Sequence, residues 1–157
     1  MSHFLRLLAI AALLSVAACV GQPVDPQFST VTIAPVPPEM ARIYFYREWE
    51  PYESMSRPRI YLNGEQAAVS IPGGVSYRDV PAGRYEITVD SPGIYSGQFK
   101  TVNLQPGQNL YVKIESLRNW YRGYAWEMDT FYVALIPGSQ ARAEIGSKRY
   151  VQGDANS

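Results

Sequence analysis

The feature that most constrains this chain is a period of two that recurs from Ala41 to Ile136. It appears in Arg42 to Arg47, Arg59 to Leu62, Gln66 to Ile71, Val75 to Val80, Arg84 to Asp90, Gln98 to Leu104, Asn109 to Glu115 and Thr130 to Ile136. These runs are short and rich in β-branched and aromatic residues, which strands favour. Successive side chains of a strand point to opposite faces, so Tyr85, Ile87 and Val89 share one face, as do Leu110, Val112 and Ile114. Those six are expected inside, with Thr88 and Lys113 on a solvated face. Turn pairs punctuate the runs: Pro72-Gly73, Pro81-Ala82-Gly83, Pro92-Gly93, Pro106-Gly107 and Pro137-Gly138. Proline pre-sets the first corner of a turn and glycine supplies a positive φ at the second. Asn63-Gly64 is a hairpin signal of the same kind. No stretch of helical length with a 3.6 period interrupts the pattern. The expectation is an all-β fold, an antiparallel β-sandwich of about eight strands, because the connections look too short for parallel crossovers.

Composition narrows the function classes. Gly and Pro make up 12 + 12 = 24 of 157 residues, too many for a helix bundle and too few for a disordered chain. Fourteen basic residues balance fourteen acidic ones, so no basic field favours nucleic acid. A single cysteine forbids an internal disulfide and any multi-cysteine metal site.

The first residues read as an address. Arg6 and the amino terminus form a positive region, and Leu7 to Leu14 form an apolar one too short to span a bilayer. Val16-Ala17-Ala18-Cys19 then resembles the lipobox of bacterial lipoproteins, with small residues before the only cysteine. An ordinary secretory signal with Ala17-Ala18 at its cleavage site is the alternative. The resemblance implies a signal peptide over 1–18 and an acylated, palmitate-bearing Cys19 as a membrane anchor. Val20 is not the aspartate that retains enteric lipoproteins at the inner membrane. The implied location is the cell envelope, at the outer membrane facing the periplasm. Cleavage would remove His3 and Arg6, leaving no histidine and a charge of 13 − 14 = −1.

Residues 19–40 carry the lipidated Cys19 and a proline-rich stretch, read as an extended tether that could reach roughly 65 Å. Val31-Thr32-Ile33 could instead pair as an edge strand. The sandwich is expected over 41–137. Residues 138–157 form a tail, with a short helical turn at Ser139 to Ile145 for which Ser139 is the expected N-cap.

Several of these elements together suggest a family. Ala41 to Arg47, Tyr61-Leu62-Asn63-Gly64, Tyr77-Arg78-Asp79-Val80-Pro81-Ala82-Gly83-Arg84-Tyr85 and Gly107 before a strand resemble a bacterial lipoprotein family. It is the domain-of-unknown-function family numbered twenty-eight forty-six. Pro81 to Ile87 is also similar to the PEGA surface-domain motif. The resemblance implies an immunoglobulin- or transthyretin-like β-sandwich and carries no activity, cofactor or metal.

The side chains offer few reactive groupings. With no histidine in the mature chain, a serine or cysteine triad lacks its usual base, and zinc lacks its usual ligands. Two acidic groups stand out: Glu48, Glu50 and Glu53, and Glu127 with Asp129. A carboxylate pair could hydrolyse glycans, whereas the plainer reading is a solvated acidic loop beside Arg47, Arg57 and Arg59. The chain is therefore not expected to be an enzyme, with a glycan-acting hydrolase as the alternative. Aromatic residues say more. Trp120, Tyr121, Tyr124 and Trp126 flank Arg122, and Trp49 and Tyr52 follow the first strand. Tyr121, Arg122, Tyr124, Trp49 and Tyr52 are the candidate binding residues, because clustered Trp, Tyr and Arg make recognition surfaces. Packing into the sandwich and contact with a lipid interface are the alternatives. The expected partners are the membrane, through the anchor, and an envelope protein or cell-wall saccharide.

Overall fold

The structure is a computed structural model and describes residues 26–49, 55–91, 99–117 and 130–151. Its strands are β1 (Met40–Tyr46), β2 (Arg59–Leu62), β3 (Glu65–Val69), β4 (Gly74–Pro81), β5 (Gly83–Val89), β6 (Lys100–Leu104), β7 (Asn109–Leu117), β8 (Thr130–Leu135) and β9 (Arg149–Tyr150). One helix, α1 (Gly138–Ile145), lies between β8 and β9. The strands form two sheets, β8-β7-β1-β4-β9 and β3-β2-β5-β6. The all-β sandwich is thus present, with nine strands among the described residues.

Two pairings depart from the antiparallel expectation. β1 runs parallel to β7, with Ile43 opposite Leu110 and Phe45 opposite Val112. β4 runs parallel to β9. The crossover between β1 and β7 is no short loop, because it comprises β2 through β6. Reading each connection separately hides this: the chain visits the second sheet twice, as β2-β3 and as β5-β6, with β4 pairing to β1 in between, before β7 returns to the other side of β1.

Between the sheets lies the larger core. Ile43, Phe45, Ile60, Ile87, Val112, Ile114 and Phe131 are buried there, with Tyr85, Val89 and Leu110 packed at its margin. The faces chosen by alternation are therefore the inward ones. Burying one such aliphatic side chain contributes roughly 1.5–3 kcal/mol.

The opposite face behaves differently in the two sheets. On the β3-β2-β5-β6 sheet, Arg84 and Glu86 are exposed. On the other sheet the outer face is covered, and Lys113 does not stand in solvent. Tyr44, Tyr46, Val75 and Tyr111 pack there against Ala141 and Ile145 of α1, with Phe28, Tyr77 and Ile136 at the margin. The Tyr44 and Tyr111 rings stack at 5.0 Å, and Phe28 meets Tyr44 edge-on at 5.8 Å. Arg42 closes this layer. Its Nε and Nη2 donate to the two Asp79 carboxylate oxygens at 2.6 and 2.7 Å, and its Nη1 to the Ala34 carbonyl at 2.7 Å. The Asp79 hydrogen bonds, outweighing burial, push the Arg42 pKa up.

The expected tether and tail thus contribute to the domain. The Phe28 N–H donates to Lys148 O at 2.7 Å, Gln27 bridges Arg149, and the Tyr150 N–H donates to Pro26 O at 2.7 Å. From Pro26 onward the stretch expected to be a tether is docked, and the stretch expected to be a tail is folded as far as Val151. Val31 to Ile33 lie outside any strand. Ser139 sits inside α1, whose N-cap position is Pro137.

Charged groups fasten α1 to the sheet. Glu144 accepts from Tyr46 Oη at 2.8 Å, Gln140 Nε2 at 2.7 Å and Lys113 Nζ at 3.3 Å. Burial alone would raise the Glu144 pKa. The Gln140 and Tyr46 hydrogen bonds and the Lys113 charge outweigh it and hold the carboxyl below its ordinary value. Burial, then Glu144, pushes the Tyr46 phenol up.

Two outcomes follow for stability. Ile87→Ala and Val112→Ala should each cost about 1–4 kcal/mol in denaturant titration, and Thr88→Ala under about 0.5 kcal/mol. Lys113→Ala should cost more than Thr88→Ala, because it strips a cation from Glu144. Glu144 has a depressed folded pKa, so its contribution is present above the unfolded value of about 4.3 and lost as pH falls through the folded one. The stability of Glu144→Gln should accordingly fall less steeply below about pH 4.3 than that of the unaltered chain.

Candidate functional site

Strand register gives the sandwich two unlike ends. At one, Met40 pairs with Pro81 and Gly83 with Leu104, and the connections are tight turns. Asn63 and Gly64 there have φ of 51° and 82°, as a type I′ hairpin requires. At the other end Tyr46 pairs with Val75 and Lys113, Ile60 with Val89, and Leu117 with Thr130. The strands there are joined through residues 47–58, 90–99 and 118–129. Rigid sandwiches carry recognition on such longer connections.

The described part of this loop end is organised by Arg47, which is 1% exposed. Its guanidinium lies 5.0 Å from the Phe131 ring centroid. Nη1 donates to the Ser56 carbonyl at 2.9 Å and Nη2 to Ser116 Oγ at 3.0 Å. One buried cation thereby ties the chain before β2 to the end of β7. The Phe131 N–H donates to Ser91 Oγ at 3.0 Å, joining the sheets at the same end. Arg47 is therefore no part of a solvated loop. The sequence offers only a weak signal for this: Arg47 closes the apolar run of β1, where a strand would be leaving the core.

Of the candidate binding residues, Trp49 alone is described, and it is 59% exposed. Its Cβ rests against Gly73, where the methyl of an alanine would come within 2.9 Å. Gly73 also has φ of 68°. The Pro72-Gly73 turn thus holds the base of Trp49 and leaves its ring outward. Met55, 66% exposed, lies beside Ser56, and Phe99, 50% exposed, precedes β6. Cys19, Tyr52, Tyr121, Arg122 and Tyr124 lie outside the described residues, as do Glu50, Glu53, Glu127 and Asp129.

Glu48 is half-buried and sits between two ammonium groups, Lys148 Nζ at 2.5 Å and Lys113 Nζ at 3.6 Å. With Glu144 it forms the charged seam under α1. A glycoside-cleaving acid needs a raised pKa, and Glu144 has a lowered one. Among the described residues no three His, Cys, Asp or Glu side chains come together as a metal set. The space beside Arg47, lined by Ile60, Ser70 and Val75, is about 10 Å³, which suits nothing larger than a water. A shallow trough of about 640 Å³ runs along β8 between Lys100, Glu115 and Tyr132 to Leu135.

Gly73→Ala tests how Trp49 is held. It should lower stability by about 1–2 kcal/mol through the left-handed backbone alone and, where Trp120→Phe and Trp126→Phe leave Trp49 the only tryptophan, shift the emission as the added methyl displaces the indole base. Chemical denaturation and fluorescence read the two effects separately.

The match to known families spans most of this architecture. No curated protein matches the chain. A family described as "Protein of unknown function (DUF2846)" matches residues 38–123, which run from the entry to β1 past the end of β7. That stretch contains both strands of the parallel pair and amounts to 123 − 38 + 1 = 86 of 157 residues, so the chain belongs to this family.

Proposed function

We propose that this protein is a lipoprotein of the bacterial envelope, anchored through an acylated Cys19 in the outer membrane and facing the periplasm. Its sandwich is a binding or structural module for an envelope protein or a cell-wall saccharide. The observation that carries the anchor is positional: the only cysteine of the chain stands directly after Val16-Ala17-Ala18 and a short apolar run. Two or more acyl signals anchor a protein stably, where one alone does not. Support for the binding role comes from the loop end. Trp49 is presented outward there, and β7 and β8 end where the connection with Tyr121, Arg122 and Tyr124 begins and returns.

One experiment with two arms tests the reading. Cys19→Ser should abolish labelling by a palmitate analogue and move the protein out of the membrane fraction, or leave its precursor uncleaved. Unchanged processing and fractionation would remove the anchor from the reading. In the second arm, Tyr121→Ala with Tyr124→Ala in the lipidated protein should keep the melting temperature within a few degrees. It should weaken a crosslinked envelope partner roughly thirtyfold, as loss of about 2 kcal/mol at a hot spot does. A folded double variant that keeps every partner would exclude these residues as the binding surface.

A further inference from the structure

The docked N-terminal segment fixes how far the domain can stand from its anchor. From Pro26 onward the chain is bonded to the domain: Pro26 O accepts from Tyr150, Phe28 donates to Lys148, and Ser29 donates to Gly146. The Phe28 ring is packed on Tyr44 and Tyr150. Between Cys19 and Pro26 there are 26 − 19 = 7 residue steps. Seven steps span at most about 25 Å, and about 15 Å on average for a flexible chain. The tether expected from sequence alone is more than twice as long.

The point of attachment is also lopsided. Tyr150, the partner of Pro26, pairs with Val75, the second residue of β4 at the loop end. The turn end lies 81 − 75 = 6 residues further along β4, about 20 Å away. A domain standing on its turn end would need the leash drawn almost taut. Standing on its loop end, it leaves the leash slack.

The exposed side chains at the two ends differ in the same sense. Glu39, Arg84, Gln105 and Asn109 are exposed toward the turn end. Trp49 and Met55 are exposed at the loop end beside exposed Ser56, Arg57 and Arg59, with Phe99 next to β6, while Leu135, opposite Val112, is the exposed large apolar side chain away from that end. Trp49 touches Gly73, the Gly73 carbonyl accepts from the Arg149 N–H, and Arg149 is bridged by Gln27. The exposed indole and the root of the leash are thus neighbours. Indole rings are enriched where a membrane meets water.

We infer that the loop end faces the bilayer, and that the lipid surface holding the acylated Cys19 is what Trp49 and Met55 rest on. This rests on the lipoprotein reading above and adds an orientation to it. A protein or saccharide partner reached through this end would be met at the membrane surface.

The test uses lipidated full-length protein in which Trp120→Phe and Trp126→Phe leave Trp49 the only tryptophan. The probe is vesicles of phosphatidylethanolamine and phosphatidylglycerol, with and without brominated acyl chains. Brominated lipid should quench Trp49 roughly twofold or more, as expected for an interfacial indole. A flexible Gly-Ser insertion of about twelve residues between Val24 and Asp25 should remove most of that quenching by lengthening the leash. Should the double Phe variant fail to fold, 5-fluorotryptophan in the otherwise unaltered chain reports the same contact through relaxation by spin-labelled lipid, with Trp49→Phe assigning its resonance. The mass of the Cys19 peptide and flotation with vesicles are read on the same samples. Lipidated, floating protein whose Trp49 is untouched by brominated lipid, or equally quenched with the long leash, overturns the orientation and leaves the anchor standing. Protein without lipid on Cys19 overturns both.

Discussion

Burial of β1 on both faces is the constraint around which the rest of the structure is arranged. Ile43 and Phe45 point between the sheets, while Arg42, Tyr44 and Tyr46 point the other way and are buried as well. A two-layer sandwich covers one of those faces. The other needs a partial third layer, supplied by Phe28 and Ile136 and by Ala141 and Ile145 of α1. Its polar groups need partners too, and Asp79 and Glu144 provide them for Arg42 and Tyr46. Arg42 is buried, and leaving a buried charge without its partner is strongly destabilising, so its contact with Asp79 holds the layer in register.

The same demand explains why the segments around Phe28 and Tyr150 are not appendages. Pro26 and Tyr150 are neighbours because Phe28 covers the outer face of the sheet whose edge strand is β9. Lys148 and Glu48 meet for the same reason, joining the last turn of the fold to the residue that follows Arg47. Arg47 then carries the constraint into the loop end, where its side chain sets the path of the chain at Ser56.

How much of this is legible in the sequence follows from the physics of each element. Strict alternation in Arg84 to Asp90 and Asn109 to Glu115 identifies the inward faces of β5 and β7, although only β5 is half-buried: the outer face of β7 is covered too, at Tyr111. β1 has no such alternation: it is aromatic or aliphatic at nearly every position, the mark of burial on two sides. Its meaning depends on what covers it, which lies at the far ends of the chain. Prolines between 20 and 40 argue for an extended segment, and its described part lies outside the strands up to Met40 apart from a 3-10 turn at Phe28–Thr30, but proline content does not say whether a segment is docked. β9 is two residues long and pairs through position alone. At the candidate site, Trp49 is legible as an outward ring. Buried Arg47 is not, since a lone arginine beside glutamates reads as surface until its neighbours are known.

The parallel pairing of β1 with β7 has a consequence in time. Ile43 and Leu110 are 110 − 43 = 67 residues apart, so the first strand made must wait for most of the domain before its neighbour exists. Contacts of such separation slow folding, because the intervening loop must be closed before they repay it. During that wait β1 has β4 on one side and an unpaired apolar edge on the other. A chain emerging from its N-terminus presents this edge early and buries it late, which makes the emerging strand the natural client of whatever holds unfolded chains.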